Sequence, residues 1–168
     1  MTPDDARSFQ SLRLSALEQS PSLFASSYQE ERNRPREDVA EWLMLTEKQA
    51  VFGAFKEDRL IGVAGMRRDV FRGHRHKVHL WGVYVVPGRR RAGVSRKLVT
   101  EAIGFAKDMP GVTQVNLTVA ASNAIAIRLY RSLGFDAFGR ESRSIFADDA
   151  PDDDLCMCLR LAPFDADV

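Results

Sequence analysis

The spacing of hydrophobic residues divides the chain into a helical N-terminal part and a longer part in which strands and helices alternate. Apolar side chains recur at helical spacing after Thr2, and a second helical pattern follows Pro35. Two apolar runs, 50–55 and 60–66, are separated by a polar turn and predict a hairpin. The later predicted elements are strand 78–86, helix 91–107, strand 112–119, helix 123–133, strand 135–146 and strand 155–161. This order predicts an α/β domain with a mixed central sheet flanked by helices.

Two charged segments lie between these elements. The segment from Arg67 to Lys77 is strongly basic, and it predicts a solvated loop or hairpin tip. A basic tip could also bind an acidic substrate or nucleic acid. The run from Asp148 to Asp154 predicts an acidic loop, which could pair with the basic tip or attract a cationic amine.

Length and composition indicate one domain that spans residues 1–168. The chain is 45% hydrophobic and 28% charged, which excludes a disordered polypeptide. Its net charge of +1 gives no electrostatic support for a nucleic-acid or membrane partner, and no apolar run approaches the length of a membrane helix. The polar N-terminus is unlike a signal peptide, and Cys156 and Cys158 are expected to be free thiols. These features together predict a cytoplasmic protein.

A basic turn joins the predicted strand 78–86 to the helix that follows it. This junction points several backbone N–H groups and the positive end of a helix dipole at one spot, which suits a phosphate or pyrophosphate. The sequence there fits neither the nucleotide P-loop nor the dinucleotide G-x-G-x-x-G pattern. An ordinary strand–helix turn with solvated arginines is the alternative interpretation of this segment taken alone.

A second segment, 123–135, strengthens the first interpretation, because the two together resemble the signatures of the GNAT superfamily of acetyl-CoA-dependent N-acetyltransferases. The first signature, Q/R-x-x-G-x-G/A, corresponds to 90–95, with Ser95 at its last position and Arg91 where glycine is usual. The second, N-x-x-A-x-x-x-Y-x-x-L-G-F, is matched in full by Asn123, Ala126, Tyr130, Leu133, Gly134 and Phe135.

The resemblance implies the GNAT fold, whose strands splay to admit acetyl-CoA as the co-substrate. It implies that the pantetheine amides pair with Val83 and Val85, next to a bulge for which Gly82 is the best candidate. The expected cofactor-binding residues are Val83, Val85, Arg90, Arg91, Ala92, Gly93, Val94, Ser95, Asn123 and Ala126. Family members usually begin with a strand, whereas a helix is predicted here within a few residues of Met1, so that strand is missing or the sequence starts late.

The resemblance also implies direct attack of an amine on the acetyl thioester. Tyr130 is at the family's usual general-acid position, although its ring could serve only to pack its helix. His79 is where the family often has a catalytic glutamate, and it is expected to act as the base or to order a water. His74 and His76 would face away from His79 on a regular strand, and since no third ligand is evident we expect no metal.

The sequence therefore predicts an N-acetyltransferase that acts on a primary amine of a small molecule or a protein. The alternative is a non-catalytic module that binds acyl-CoA. A nucleic-acid binder is disfavoured, because aromatic residues are not interleaved with the basic ones beyond Phe71. Neither the identity of the amine nor the choice between a monomer and a homodimer can be derived from the sequence.

Overall fold

The protein is built around one six-stranded sheet, seen in a computed structural model that describes residues 1–21, 24, 26–147 and 150–161. The spatial order of the strands is β1-β2-β3-β4-β6-β5, and only the β3–β4 pair is parallel. The predicted mixed α/β sheet is therefore confirmed. The strands are β1 (Gln49–Lys56), β2 (Arg59–Arg68), β3 (Lys77–Val85), β4 (Gln114–Ala120), β5 (Asp136–Ala147) and β6 (Ala150–Arg160).

In the described part of the chain, five helices cover the two faces of this sheet. They are α1 (Ala6–Gln19), α2 (Tyr28–Glu31), α3 (Arg36–Trp42), α4 (Val94–Asp108) and α5 (Ala124–Ser132). Apolar residues of α1 and α3 form one core with Val51, Val63 and Tyr84 of the sheet. The larger core lies on the opposite face, where α4 packs over β1 to β3 and buried residues of α5, β4 and β6 complete it. No helix in the described ranges is both long enough and apolar enough to cross a membrane.

The two helices that flank the later strands begin at local signals in the sequence. α4 starts directly after Gly93, whose φ of +76° lies in the left-handed region that favours glycine. α5 starts after Asn123, whose side-chain oxygen accepts a hydrogen bond from the Ala126 amide at 3.1 Å. Both helix starts face the gap between β3 and β4, which places them at the candidate site.

No strand precedes α1 among the residues that the structure describes. A short 3₁₀ turn over Pro3–Asp5 leads directly into α1. The Met1 amino group donates a hydrogen bond of 2.7 Å to the Val51 carbonyl of β1, which is an edge strand of the sheet.

The predicted acidic loop over 148–154 is wrong for residues 150–154, because β6 already begins at Ala150. Positions 148 and 149 lie outside the described residues. The backbone of β6 pairs with β5 on one side and with β4 on the other, and Asp154 lies opposite Ala120. Arg140 on β5 forms an ion pair with Asp153, with Nε 2.8 Å from Oδ2. Pairing with β5, joined at Asp154 by pairing with β4, overrides the low strand propensity of aspartate.

Candidate active site

A cleft opens in the sheet where β3 and β4 separate. The two strands pair only over Lys77–His79 and Gln114–Asn116, at their N-terminal ends. Beyond that point a cavity of about 470 Å³ lies between residues 80–85 of β3 and 117–120 of β4. The predicted splay of these strands is therefore confirmed.

A β-bulge at Gly82 bends β3 at this cleft. Tyr84 lies opposite Val63 and Trp81 lies opposite Gly65, so β3 has one more residue than β2 over this interval. Gly82 has a φ of +62°, a conformation that glycine adopts without steric cost. The bulge that the sequence analysis placed at Gly82 is confirmed.

The turn between β3 and α4 forms the second part of the site. Arg91 has a φ of +63°, which explains why glycine would suit this position better. A cavity of about 190 Å³ at this turn is lined by Arg89, Arg90, Arg91, Gly93, Val94, Ser95, Arg96 and Leu129. The first N–H groups of α4 have no acceptor within the helix, so this cavity combines free backbone donors with a lining of four arginines. Ala92 belongs to the same turn, between Arg91 and Gly93.

Arg90, in the turn between β3 and α4, contacts the wall of the cleft. Its Nε donates to the Val85 carbonyl at 2.9 Å, and its guanidinium carbon lies 5.5 Å from the centre of the Tyr84 ring. Val83 and Val85 line the cleft, as do Asn123 and Ala126 at the start of α5. The structure therefore brings four of the expected cofactor-binding residues to one cleft, two of them on β3 and two at the start of α5.

Tyr130 on α5 lines the same cleft. Tyr130 is only 7% exposed, and its ring packs edge-on against that of Phe135, with the ring centres 5.8 Å apart. Burial raises the pKa of Tyr130 to about 12, so its hydroxyl keeps its proton throughout the physiological range. Packing and an acid role are compatible, because the ring meets Phe135 while the residue also faces the cleft.

His79 is not part of the cleft wall. It lies on the paired end of β3, opposite Asn116, and 48% of its side chain is exposed. Its Nε2 is 3.6 Å from Oδ2 of Asp69, and Nδ1 of His74 is 3.4 Å from the same oxygen. A hydrogen bond from the Phe71 amide, together with the two histidines, holds the pKa of Asp69 below its usual value.

The expectation that His74 and His79 face opposite sides is wrong. It assumed a regular strand, whereas His74 belongs to a short 3₁₀ turn over Arg72–His74 that turns it towards Asp69. Within the described ranges, no group of three or more His, Cys, Asp or Glu residues is arranged to hold a metal ion.

Sequence reasoning missed a buried ion pair next to Gly82. Arg13 on α1 holds Glu31 on α2 with two hydrogen bonds, Nε–Oε2 at 2.5 Å and Nη2–Oε1 at 2.6 Å. The signal was present, because Arg13 shares the apolar face of α1 with Phe9, Leu12 and Ala16. A cation on a buried face needs a partner, but nothing in the sequence identifies Glu31 as that partner.

The chain belongs to the acetyltransferase (GNAT) family, whose family model matches residues 17–135. An uncharacterized protein of Mycobacterium leprae is 38% identical over 95 residues. That match covers 54% of this chain but only 24% of the Mycobacterium leprae protein, so the chain corresponds to about a quarter of this relative.

Solved structures of the same fold cover nearly the whole chain. A GNAT-family acetyltransferase of Streptococcus pneumoniae superposes with a TM-score of 0.85 at 20% identity, covering 96% of each chain. The yncA protein of Salmonella typhimurium, solved with its cofactor acetyl-CoA, gives 0.83 at 22% identity, with coverage of 96% and 91%. A ribosomal-protein-alanine N-acetyltransferase of Brucella melitensis gives 0.74 at 25% identity, with coverage of 96% and 97%. Similarity of this kind establishes the fold, while the acceptor has to be argued from this chain's own residues.

Proposed function

We propose that this protein transfers the acetyl group of acetyl-CoA to a primary amine. The observation that carries the proposal is the cleft between β3 and β4, whose walls include residues from both faces of the sheet. The basic turn before α4 opens at one end of this cleft, and Phe24, Trp81 and Gly82 line it on the side of α1 and α3. A long, thin acyl donor with an anionic end fits such a passage.

The residues along the passage suit the parts of acetyl-CoA in order. The free N–H groups and arginines of the turn over 90–95 would hold the pyrophosphate. Val83 and Val85, on the part of β3 that does not pair with β4, would pair with the pantetheine amides much like an added strand. The acetyl end then reaches the Gly82 bulge, and the amine approaches from the side of Phe24 and Trp81.

The proposed chemistry is direct transfer. The neutral amine attacks the thioester carbonyl, a C–N bond forms, the C–S bond breaks, and the amine gives up a proton. The pKa of about 12 makes Tyr130 a weaker acid than a thiol of about 8.5, so it serves the leaving sulfur chiefly as a hydrogen-bond donor. His79 lies outside the cleft wall, so it would take the amine's proton through water.

The test is acetyl-CoA consumption with a panel of amines, polyamines, aminoglycosides, amino acids and peptides, with each acetylated product identified by mass. We expect at least one amine to give stoichiometric free thiol and N-acetyl product. Tight binding of acetyl-CoA without turnover on any amine would instead support the alternative function, a non-catalytic module that binds acyl-CoA. Absence of acetyl-CoA binding would refute both functions.

A further inference from the structure

A cationic cluster lies beside the Gly82 bulge, on the side of α1 to α3. Glu31 is 4% exposed and accepts hydrogen bonds from Arg13 and from the Ser26 hydroxyl. Arg13 Nη2 also donates to Ser26 Oγ at 3.0 Å. Two nitrogens of the Arg13 guanidinium are therefore fixed, and no described residue accepts a hydrogen bond from the third, Nη1.

The remaining nitrogen of Arg13 points towards the bulge. A Cβ placed on Gly82 would have Nη1 of Arg13 as its nearest neighbour, at 3.8 Å. Since glycine has no Cβ, nothing on Gly82 separates this donor from the cleft. Arg13, Gly82, Tyr84 and Phe24 also line a small crevice that adjoins the cleft, because the last three residues belong to both.

Aromatic rings hold the Arg13 guanidinium in place. Its central carbon lies 5.6 Å from the centre of the Phe24 ring and 5.7 Å from that of Trp42. A guanidinium fixed by stacking and by a carboxylate loses little conformational entropy when it binds an anion. The low-dielectric surroundings also strengthen any hydrogen bond that it makes.

Trp81 contributes packing to the same wall of the cleft. Its indole ring lies over Gly65 of β2, since a Cβ on Gly65 would lie 2.1 Å from the indole Cε2. Arg13 Nη1 is therefore the donor at the bulge on which an anion can be argued.

The net charge of the cluster is positive. Arg34 stacks on Trp42, with its guanidinium carbon 4.5 Å from the ring centre, and it adds a second cation to the pair of Arg13 and Glu31. Burial alone would raise the pKa of Glu31, but the hydrogen bonds from Arg13 and Ser26 outweigh it and keep that pKa below its usual value. Glu31 therefore stays ionised and orients Arg13 instead of acting as a base.

We propose that Arg13 binds a carboxylate of the acceptor, so that the amine acetylated here belongs to a free amino acid. This inference rests on the proposed function, and it names the acceptor class for the same site. Because Nη1 lies 3.8 Å from the Cβ position of Gly82, where the acetyl end is placed, only a few bonds can separate the carboxylate from the attacking amine. The α-amine and α-carboxylate of one amino acid meet this requirement, whereas the first amine of a peptide is followed by a neutral amide.

The experiment compares acceptors that carry an α-carboxylate beside the amine with acceptors that have a neutral amide in its place. The probes are the common L-amino acids, their α-carboxamides, and tripeptides that begin with the same residues. Amides are less basic than the acids, so kcat/KM is measured across pH and expressed per neutral amine. One charge-assisted contact leads us to expect an acid-to-amide ratio of about 10 to 100 for the best acceptor.

The variants separate the role of Arg13 from folding. Arg13→Gln combined with Glu31→Gln removes both buried charges together, and we expect it to lower the acid-to-amide ratio at least about tenfold. Arg7→Gln, at an exposed arginine on the same helix, is the matched control and should leave the ratio unchanged. Circular dichroism of each variant verifies that it is folded.

Three results would overturn the inference: better acetylation of amides or peptides than of acids, an unchanged ratio in the double variant, or acetylation of another amine of the panel with no amino acid acetylated. Failure of the proposed function is a separate result, because acetyl-CoA would then not bind, or would bind without acetylating any amine of the wider panel.

Discussion

Tyr130 combines burial, a raised pKa of about 12 and a place in the cleft wall, so its hydroxyl is a permanent donor there. We predict that Tyr130→Phe lowers kcat about 100-fold with little change in acetyl-CoA affinity. The ring contact with Phe135 is retained in this variant, so folding is preserved. Steady-state kinetics and calorimetric titration with acetyl-CoA measure the two quantities. A kcat within threefold of the wild type would mean that Tyr130 only packs its helix.

His79 is tested through the pH profile, because it is half exposed and held beside Asp69. If it is the base, His79→Ala should remove one limb from the pH profile of kcat/KM. If it only orders a water, the profile should keep its shape and lose height.

The acceptor amine also titrates, so the His79 profiles need two amines of different pKa. A limb that moves with the amine belongs to the substrate. A limb that stays fixed with both amines and vanishes in His79→Ala belongs to His79. A fixed limb that survives the substitution would assign the base to another residue.

The turn before α4 is tested at the scale of an element, because its backbone is expected to bind the pyrophosphate. We predict a modest loss of acetyl-CoA affinity for Arg90→Ala and a far larger loss for Gly93→Val. No atom outside its chain neighbours lies within 4 Å of a Cβ on Gly93, so the valine would occupy the space that a phosphate needs. Equal losses in calorimetric titrations would mean that side chains dominate the binding.

Backbone strain needs its own control, since valine at the Gly93 φ of +76° is strained whatever the space around it. Gly111 has a φ of +73° just beyond the other end of α4, outside both cavities of the site. Gly111→Val should therefore lower the free energy of unfolding by a similar amount while leaving acetyl-CoA affinity unchanged. An affinity loss as large as that of Gly93→Val would trace the effect to α4 as a whole.

Most of the molecule's architecture follows from local signals in the sequence. The hairpin of β1 and β2 depends on neighbouring residues and was predicted from them, whereas the bulge at Gly82 was expected from the resemblance to the GNAT superfamily. β6 was predicted to start five residues late, because aspartates are typical of loops. Backbone pairing holds them in a strand here, with β5 from Ala150 onwards and with β4 from Asp154 onwards.

The site was predicted less completely, because its parts meet only in three dimensions. The motif residues of β3, α4 and α5 come together as expected, while His79 lies outside the cleft wall. Arg13 and Glu31 are 18 positions apart, and their pairing depends on how α1 and α2 pack. His74 was placed on the wrong side because a 3₁₀ turn breaks the strand alternation.

The pair of Arg13 and Glu31 also stabilises the whole molecule, because it joins α1 to α2 within the layer that covers β1 to β3. We predict that Glu31→Ala lowers the free energy of unfolding by about 2–3 kcal/mol, since it leaves a largely buried cation without its carboxylate partner. Replacing both residues, as in Arg13→Met with Glu31→Leu, should cost less than the single change. Urea unfolding of the three proteins measures these differences.

The same pair predicts how stability depends on pH. The folded-state pKa of Glu31 lies below its usual value of 4.5, so ionised Glu31 adds stability above that pH. This contribution is lost as the pH falls from 4.5 through the folded-state pKa, because protonation then becomes easier in the unfolded chain. The difference in unfolding free energy between wild type and Glu31→Gln should therefore shrink below pH 4.5. A difference that stays constant down to the acid transition would show that hydrogen bonding, and not the charge of Glu31, holds the pair together.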